Sequence, residues 1–251
     1  MGRRSEYLVE LAGVLRDGPA DDAGLTSAEV ERLIGYLVER SGLPGPRSNL
    51  ELIEAFADVA GPGLCRTLTG HELEYVRSCG VVGLGRWWAD GSPDAAVTVA
   101  EMREHALDGS WRVREATAMA LQRLGDADPD RLRAVVADWA VDAEPLVRRA
   151  AIAGICEPRL LKDPGTAAAA LAACAAATRT LVEIPQAERR ADDVRTLRQA
   201  LGYCWSVAVA GEPVAGVPAF EALRDVTDPD VVWVVRENLR KARLQKVLGG
   251  V

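Results

Sequence analysis

One pattern of apolar and polar positions recurs along the chain. An apolar residue is followed by arginine, and small or apolar residues return three, four, seven and eight positions after the first. Val76-Arg77 leads to Cys79, Gly80, Gly83 and Leu84, and Val113-Arg114 to Ala116, Thr117, Ala120 and Leu121. Val147-Arg148 leads to Ala150, Ala151, Gly154 and Ile155, and Leu197-Arg198 to Ala200, Leu201, Cys204 and Trp205. Val235-Arg236 leads a more polar copy through Asn238 and Leu239. This spacing is one face of an α-helix. The copies lie about 35–50 residues apart, the period of helix-pair repeats. A small residue at the seventh place (Gly83, Ala120, Gly154, Cys204) lets a neighbouring helix approach closely.

The partner helices are marked by their caps. Asp128-Pro129 and Asp163-Pro164 place an acid at the N-cap and proline at the first helical position. They predict helices over 130–141 and 165–181. Thr26-x-x-Glu29 and Ser48-x-x-Glu51 read as capping boxes opening helices near 27–41 and 49–60, after a first helix near 4–16. Asp108 and Asp142 stand as cap-like acids before the Val-Arg helices. The stretch 183–193 reads as an irregular insertion that lengthens one interval. The expected fold is all-α: an α-solenoid, a right-handed superhelix with a concave face. It reads as a single repeat domain over 1–251, with divergent helices in 1–72 and clearer repeats in 73–251.

Composition narrows the function. The chain of 251 residues is 49% hydrophobic and 27% charged, with a formal charge of −7, so bulk charge does not draw it to nucleic acid. Residues 1–75 carry 13 acidic against 7 basic side chains, and residues 161–251 carry 11 against 12, so basic contacts are expected from the middle and C-terminal repeats. Five cysteines without a C-x-x-C pair exclude a zinc ribbon and point to a reduced, cytoplasmic setting. The acids Glu6 and Glu10 interrupt any signal sequence, and the apolar run Ala167–Ala177 is short for a membrane span. His71 and His105 have no partner at helical spacing, so no metal or other cofactor is expected. Gly80–Gly85 is glycine-rich but falls on a predicted helix, which argues against a phosphate loop.

The segments Asp108–Leu124 and Asp138–Ile155 resemble HEAT repeats in their spacing of Asp, Val-Arg and Ala. More narrowly, SWRVRE at 110–115, the run from Trp139 to Ile152 and QALGY at 199–203 resemble the HEAT-like AlkD and AlkC alkylpurine DNA glycosylases. The resemblance implies DNA held on a concave basic face and a carboxylate that stabilises a sugar cation as an alkylated base leaves. Ala116 stands where the catalytic Asp of that family is expected, and Glu115 is the carboxylate of that helix turn. Tyr203 matches a cleft Trp and Arg149 a DNA-contacting Arg, while Ser206 replaces a further Arg.

Two readings of the repeated arginines follow. Arg77, Arg114, Arg148, Arg198 and Arg236 form a ladder that tracks phosphates, or each pairs with an acid of its own or the next repeat, such as Asp108, Asp142 or Glu115. Arg112 and Arg149 are not explained by the repeat. Trp111 opens a helix and Tyr203 lies off the buried stripe, which places both towards a groove, whereas Trp205 belongs to the core. The expected function is non-catalytic binding of a protein or nucleic acid on the concave face. The alternative is an AlkD-like glycosylase or lesion-binding protein with Glu115 as the catalytic group and Trp111, Arg112, Arg114, Arg148, Arg149, Arg198 and Tyr203 as ligand contacts.

Overall fold

A computed structural model of the chain describes residues 3–15, 25–90, 97 and 99–249. These residues form fourteen α-helices, one 3-10 turn and no strand. The fold is all-α, and helices near in sequence pack side by side as in an α-solenoid. The chain divides into two compact units, Met1–Ala127 and Asp128–Val251.

The first unit holds α1 (Arg3–Leu15), α2 (Ser27–Glu39), α3 (Leu50–Val59), α4 (Pro62–Thr69), α5 (Glu74–Asp90), α6 (Val99–Ala106) and α7 (Trp111–Ala127). Helix α5 is its centre, packed against α2, α3, α4 and α7. Its glycines make that possible. A methyl group on Gly80 would stand 2.5 Å from the Cys65 carbonyl oxygen, and one on Gly85 would stand 2.6 Å from Ala120 Cα. One on Gly83 would collide with Cys65 Sγ. The glycine-rich run is therefore a contact surface within a helix.

The second unit holds α8 (Pro129–Trp139), α9 (Pro145–Ile155), the 3-10 turn Leu160–Lys162, α10 (Pro164–Glu183), α11 (Asp192–Gly211), α12 (Pro213–Arg224), α13 (Pro229–Leu239) and α14 (Ala242–Leu248). Helix α11 is its centre, against α9, α10, α12, α13 and α14. Trp205 is buried there, donating its indole N–H to Thr178 Oγ1 at 3.0 Å. The alanine-rich run extends into a helix of 20 residues. Among the described residues α10 is the one helix long and apolar enough to cross a membrane, and more than half of its most apolar stretch is buried inside the protein, as in a core helix.

The caps follow the sequence at α2, α8 and α10 and differ at α3 and α9; α9 has Glu144 as its N-cap with no side-chain bond, and Asp142 instead accepts from the Glu144 amide at 2.9 Å. Thr26 and Glu29 form the reciprocal capping box, and Asp128 and Asp163 accept from the amides of Arg131 and Thr166. At α3 the cap is Asn49, whose side chain accepts from Leu52 N at 3.2 Å, and not Ser48. Asn49 also donates to the Arg40 carbonyl and to Tyr7, both at 2.9 Å, which fixes it at the helix start and leaves the Ser48 hydroxyl for another partner. The expected insertion lies between α10 and α11. Arg189 ties it down: it donates to Asp228 at 2.6 Å and to the Ile184 carbonyl at 2.7 Å. Asp228 is the N-cap of α13, so one guanidinium joins the insertion to the next helix start.

Candidate binding site

The first unit has a cavity of about 240 Å³ beside the start of α7. Trp111, Arg112, Glu115, Ala116 and Met119 line it, positions that share one face of a helix. Opposite them stand Leu50 and Ile53 of α3, Ser78 of α5 and the loop Pro46–Ser48. Trp111 is 56% exposed at its mouth and Leu50 is 53% exposed, so the entrance is apolar and open. Exposed indole at a concave apolar surface is the side-chain chemistry most enriched at binding sites.

Arg112 organises the polar side. Its Nη1 donates to Glu74 Oε1 at 2.6 Å, its Nε donates to Ser48 Oγ at 3.1 Å, and its guanidinium lies 4.7 Å from the Trp111 ring. Ser110 donates to the second Glu74 oxygen. The charge of Arg112 is thus met by Glu74, and its plane supports the indole.

The repeated arginines do something else in the described structure. Arg77 donates to both carboxylate oxygens of Asp108, at 3.1 and 3.2 Å, and to the carbonyls of His71 and Glu72 at 3.0 and 2.8 Å. Arg114 donates to the carbonyls of Asp108 and Gly109 at 2.7 and 3.0 Å. Arg148, only 4% exposed, donates to the Ala143 carbonyl at 3.2 Å. In each case the carbonyl acceptors lie five or six residues earlier, so the guanidinium folds back on the loop that precedes its own helix. Burial pulls the Arg148 guanidinium below its ordinary value, against the opposing pull of Asp142, Asp193, Glu144 and Glu183. Arg198 differs. It donates to Asp230 at 2.6 Å and lies 4.9 Å from the Trp233 ring. Arg236 is exposed and meets its neighbour Glu237.

Among the expected site residues, the structure brings Trp111, Arg112 and Glu115 to one cavity. Arg114 sits on the same helix with its guanidinium on the preceding loop. Arg148, Arg149, Arg198 and Tyr203 belong to the second unit. Tyr203 is 44% exposed on α11, with Arg243 donating to its hydroxyl at 2.8 Å. Ser206 is fully buried, its amide donating to Asn238 Oδ1 at 2.8 Å, so that position faces the core. Ser48, Leu50 and Glu74 were not expected at the site. Only Met119 had a sequence signal, four and eight positions beyond Glu115 and Trp111.

No protein-family model and no curated protein matches the chain. Solved structures that resemble it include an engineered protein from a structural genomics consortium, 14% identical over 100% of both chains at a TM-score of 0.38. Two designed armadillo repeat proteins, one in complex with the peptide (KR)4, are 13% and 14% identical. Each covers 83% of this chain and 98% of its own at a TM-score of 0.31. At these values the likeness carries no argument about function.

Proposed function

We propose that the protein is a non-catalytic binding module that takes a polypeptide partner at the Trp111 cavity. The observation that carries this reading is the half-exposed indole over an apolar cavity, with a carboxylate, Glu115, on the same wall. The charge balance favours protein over nucleic acid. The first unit has 20 acidic and 13 basic side chains, and the second has 17 of each. Two guanidiniums line the cavity, Arg47 and Arg112, and Arg112 is committed to Glu74; elsewhere in the unit Arg77 meets Asp108 and Arg123 meets Glu54 and Asp58. A row of cations for phosphates is what this arrangement lacks. A segment with an apolar side chain next to Lys or Arg has the matching chemistry.

The test is selection of a random peptide display library on the full chain, with Trp111→Ala and Glu115→Gln as counter-targets. Enriched peptides with paired apolar and basic residues are expected, and their affinity drops about tenfold or more on Trp111→Ala. A library that enriches nothing on the wild type, or equally on Trp111→Ala, refutes the reading.

One observation favours a second reading, an AlkD-like lesion-binding or glycosylase function. Glu115 and Ala116, the positions at and beside the catalytic Asp of that family, both line the Trp111 cavity. Base release from alkylated duplex DNA by the wild type, lost in Glu115→Gln, is the result this reading requires.

A further inference from the structure

We propose that the second unit carries a separate site for a small phosphomonoester with an apolar body. A cavity of about 500 Å³ opens between the segment after α9, the C-terminal turns of α11 and the start of α14. Pro158, Leu161, Val207 and Gly211 give it an apolar wall, and Lys162 and Arg243 stand on its border. A methyl group on Gly211 would lie 2.8 Å from Leu161 Cδ1, so this glycine sets how closely Leu161 approaches the wall.

Two of the cations here are held, but not neutralised. Arg243 donates one N–H to the Tyr203 hydroxyl at 2.8 Å, and its guanidinium lies 4.8 Å from the ring centre. Lys241 Nζ lies 5.6 Å from the same ring. An aromatic ring fixes a cation in place while leaving its charge and most of its donors available. Among the described residues no carboxylate lies within ion-pairing distance of Lys162, Lys241 or Arg243. Their neighbours are different. Arg240 and Arg236 both meet Glu237, and Arg159 meets Glu157. The acids nearby are engaged as well: Asp163 accepts from Arg133 at 2.9 Å and caps α10, and Glu212 caps α12. Lys162 and Arg243 line one apolar-walled cavity, and Lys241 shares the Tyr203 ring with Arg243. A dianionic phosphoryl group takes charge-assisted hydrogen bonds from Lys162 and Arg243, and an attached apolar body covers Leu161 and Val207. The site stands whether or not the Trp111 cavity takes a peptide, because it uses none of the same residues.

Calorimetric titration of the full chain with phenyl phosphate, inorganic phosphate and phenol tests this. Phenyl phosphate is expected to bind about tenfold or more tightly than either fragment. Arg243→Ala and Lys162→Ala each weaken it about tenfold, roughly one charge-assisted contact. Arg240→Ala, whose charge Glu237 already meets, leaves it unchanged. Lys162 and Arg240 are exposed and Arg243 is half-buried, and an unchanged thermal midpoint verifies folding of each variant. Absence of phenyl phosphate binding overturns the proposal, as does binding unaffected by Arg243→Ala. Phenol or inorganic phosphate binding as tightly as phenyl phosphate does so too.

Discussion

Arg77 and Asp108 are joined by two parallel hydrogen bonds, 3.1 and 3.2 Å long, while the remaining Arg77 donors close the loop before α5. The partners lie 31 residues apart, so one guanidinium ties the start of one repeat to the start of the next. Asp108 also accepts from the Ser110 amide at 2.7 Å and so shapes the turn into α7. Arg77→Met removes all of these donors at a site about one-fifth exposed. A loss of about 1.5–3 kcal/mol is expected in urea denaturation, the range for hydrogen bonds to charged groups. Arg236→Ala, at the equivalent place but exposed, is expected to change stability by no more than about 0.5 kcal/mol. Equal losses at both positions would contradict the structural role of Arg77.

Helix α5 has no room for a side chain where it crosses α4 at Gly80. A methyl group on Gly80 would stand 2.5 Å from the Cys65 carbonyl oxygen and 2.8 Å from the Thr69 amide nitrogen, both backbone atoms that cannot rotate away. Gly80→Ala is expected to cost about 1–3 kcal/mol by overpacking, although alanine is the better helix former. Gly35, with open space around its Cα, gains from the same change. Thermal midpoints of the two variants should move in opposite directions.

Acid weakens the first unit through Asp58. Burial pushes this carboxyl up, but hydrogen bonds and charge from Arg123 and Arg4 outweigh it and hold it below the ordinary aspartate value. The folded state therefore binds this proton less readily than the unfolded chain. The contribution is fully present above the ordinary aspartate range and is lost as the pH falls through the depressed folded value. A thermal midpoint followed from neutral pH down to about pH 3 should fall more steeply in the wild type than in Asp58→Asn.

Asn238 is a buried connection between α13 and α11. It donates to the carbonyls of Leu201 and Val234 at 2.9 and 2.8 Å and accepts from the Ser206 amide. Asn238→Leu leaves that buried amide without its acceptor, and a loss of about 1–3 kcal/mol is expected by denaturant titration. An unchanged midpoint would show that the helix backbone re-forms its own bonds there.

The sequence by itself determined the class of fold and most of the helices, while α4, α6, α12 and α14, short or lacking the Val-Arg pattern, emerged only in the structure. Period, proline and cap acid are local signals, and a helix is closed by hydrogen bonds within one segment. The Asn49 cap escaped because Ser48 and Asn49 are both good caps, and the choice rested on Tyr7 and the Arg40 carbonyl. The sequence also put Trp111, Arg112 and Glu115 together, since they share one helix face. Only the tertiary structure decided what surrounds them. Glu74 against Arg112, Leu50 across the cavity and Arg243 on Tyr203 join residues 38, 61 and 40 positions apart. No local periodicity encodes such pairs. The repeat arginines make the same point: their spacing was visible in the chain, but whether a guanidinium turns outward or back to its own loop depends on which carbonyls and carboxylates packing brings within reach.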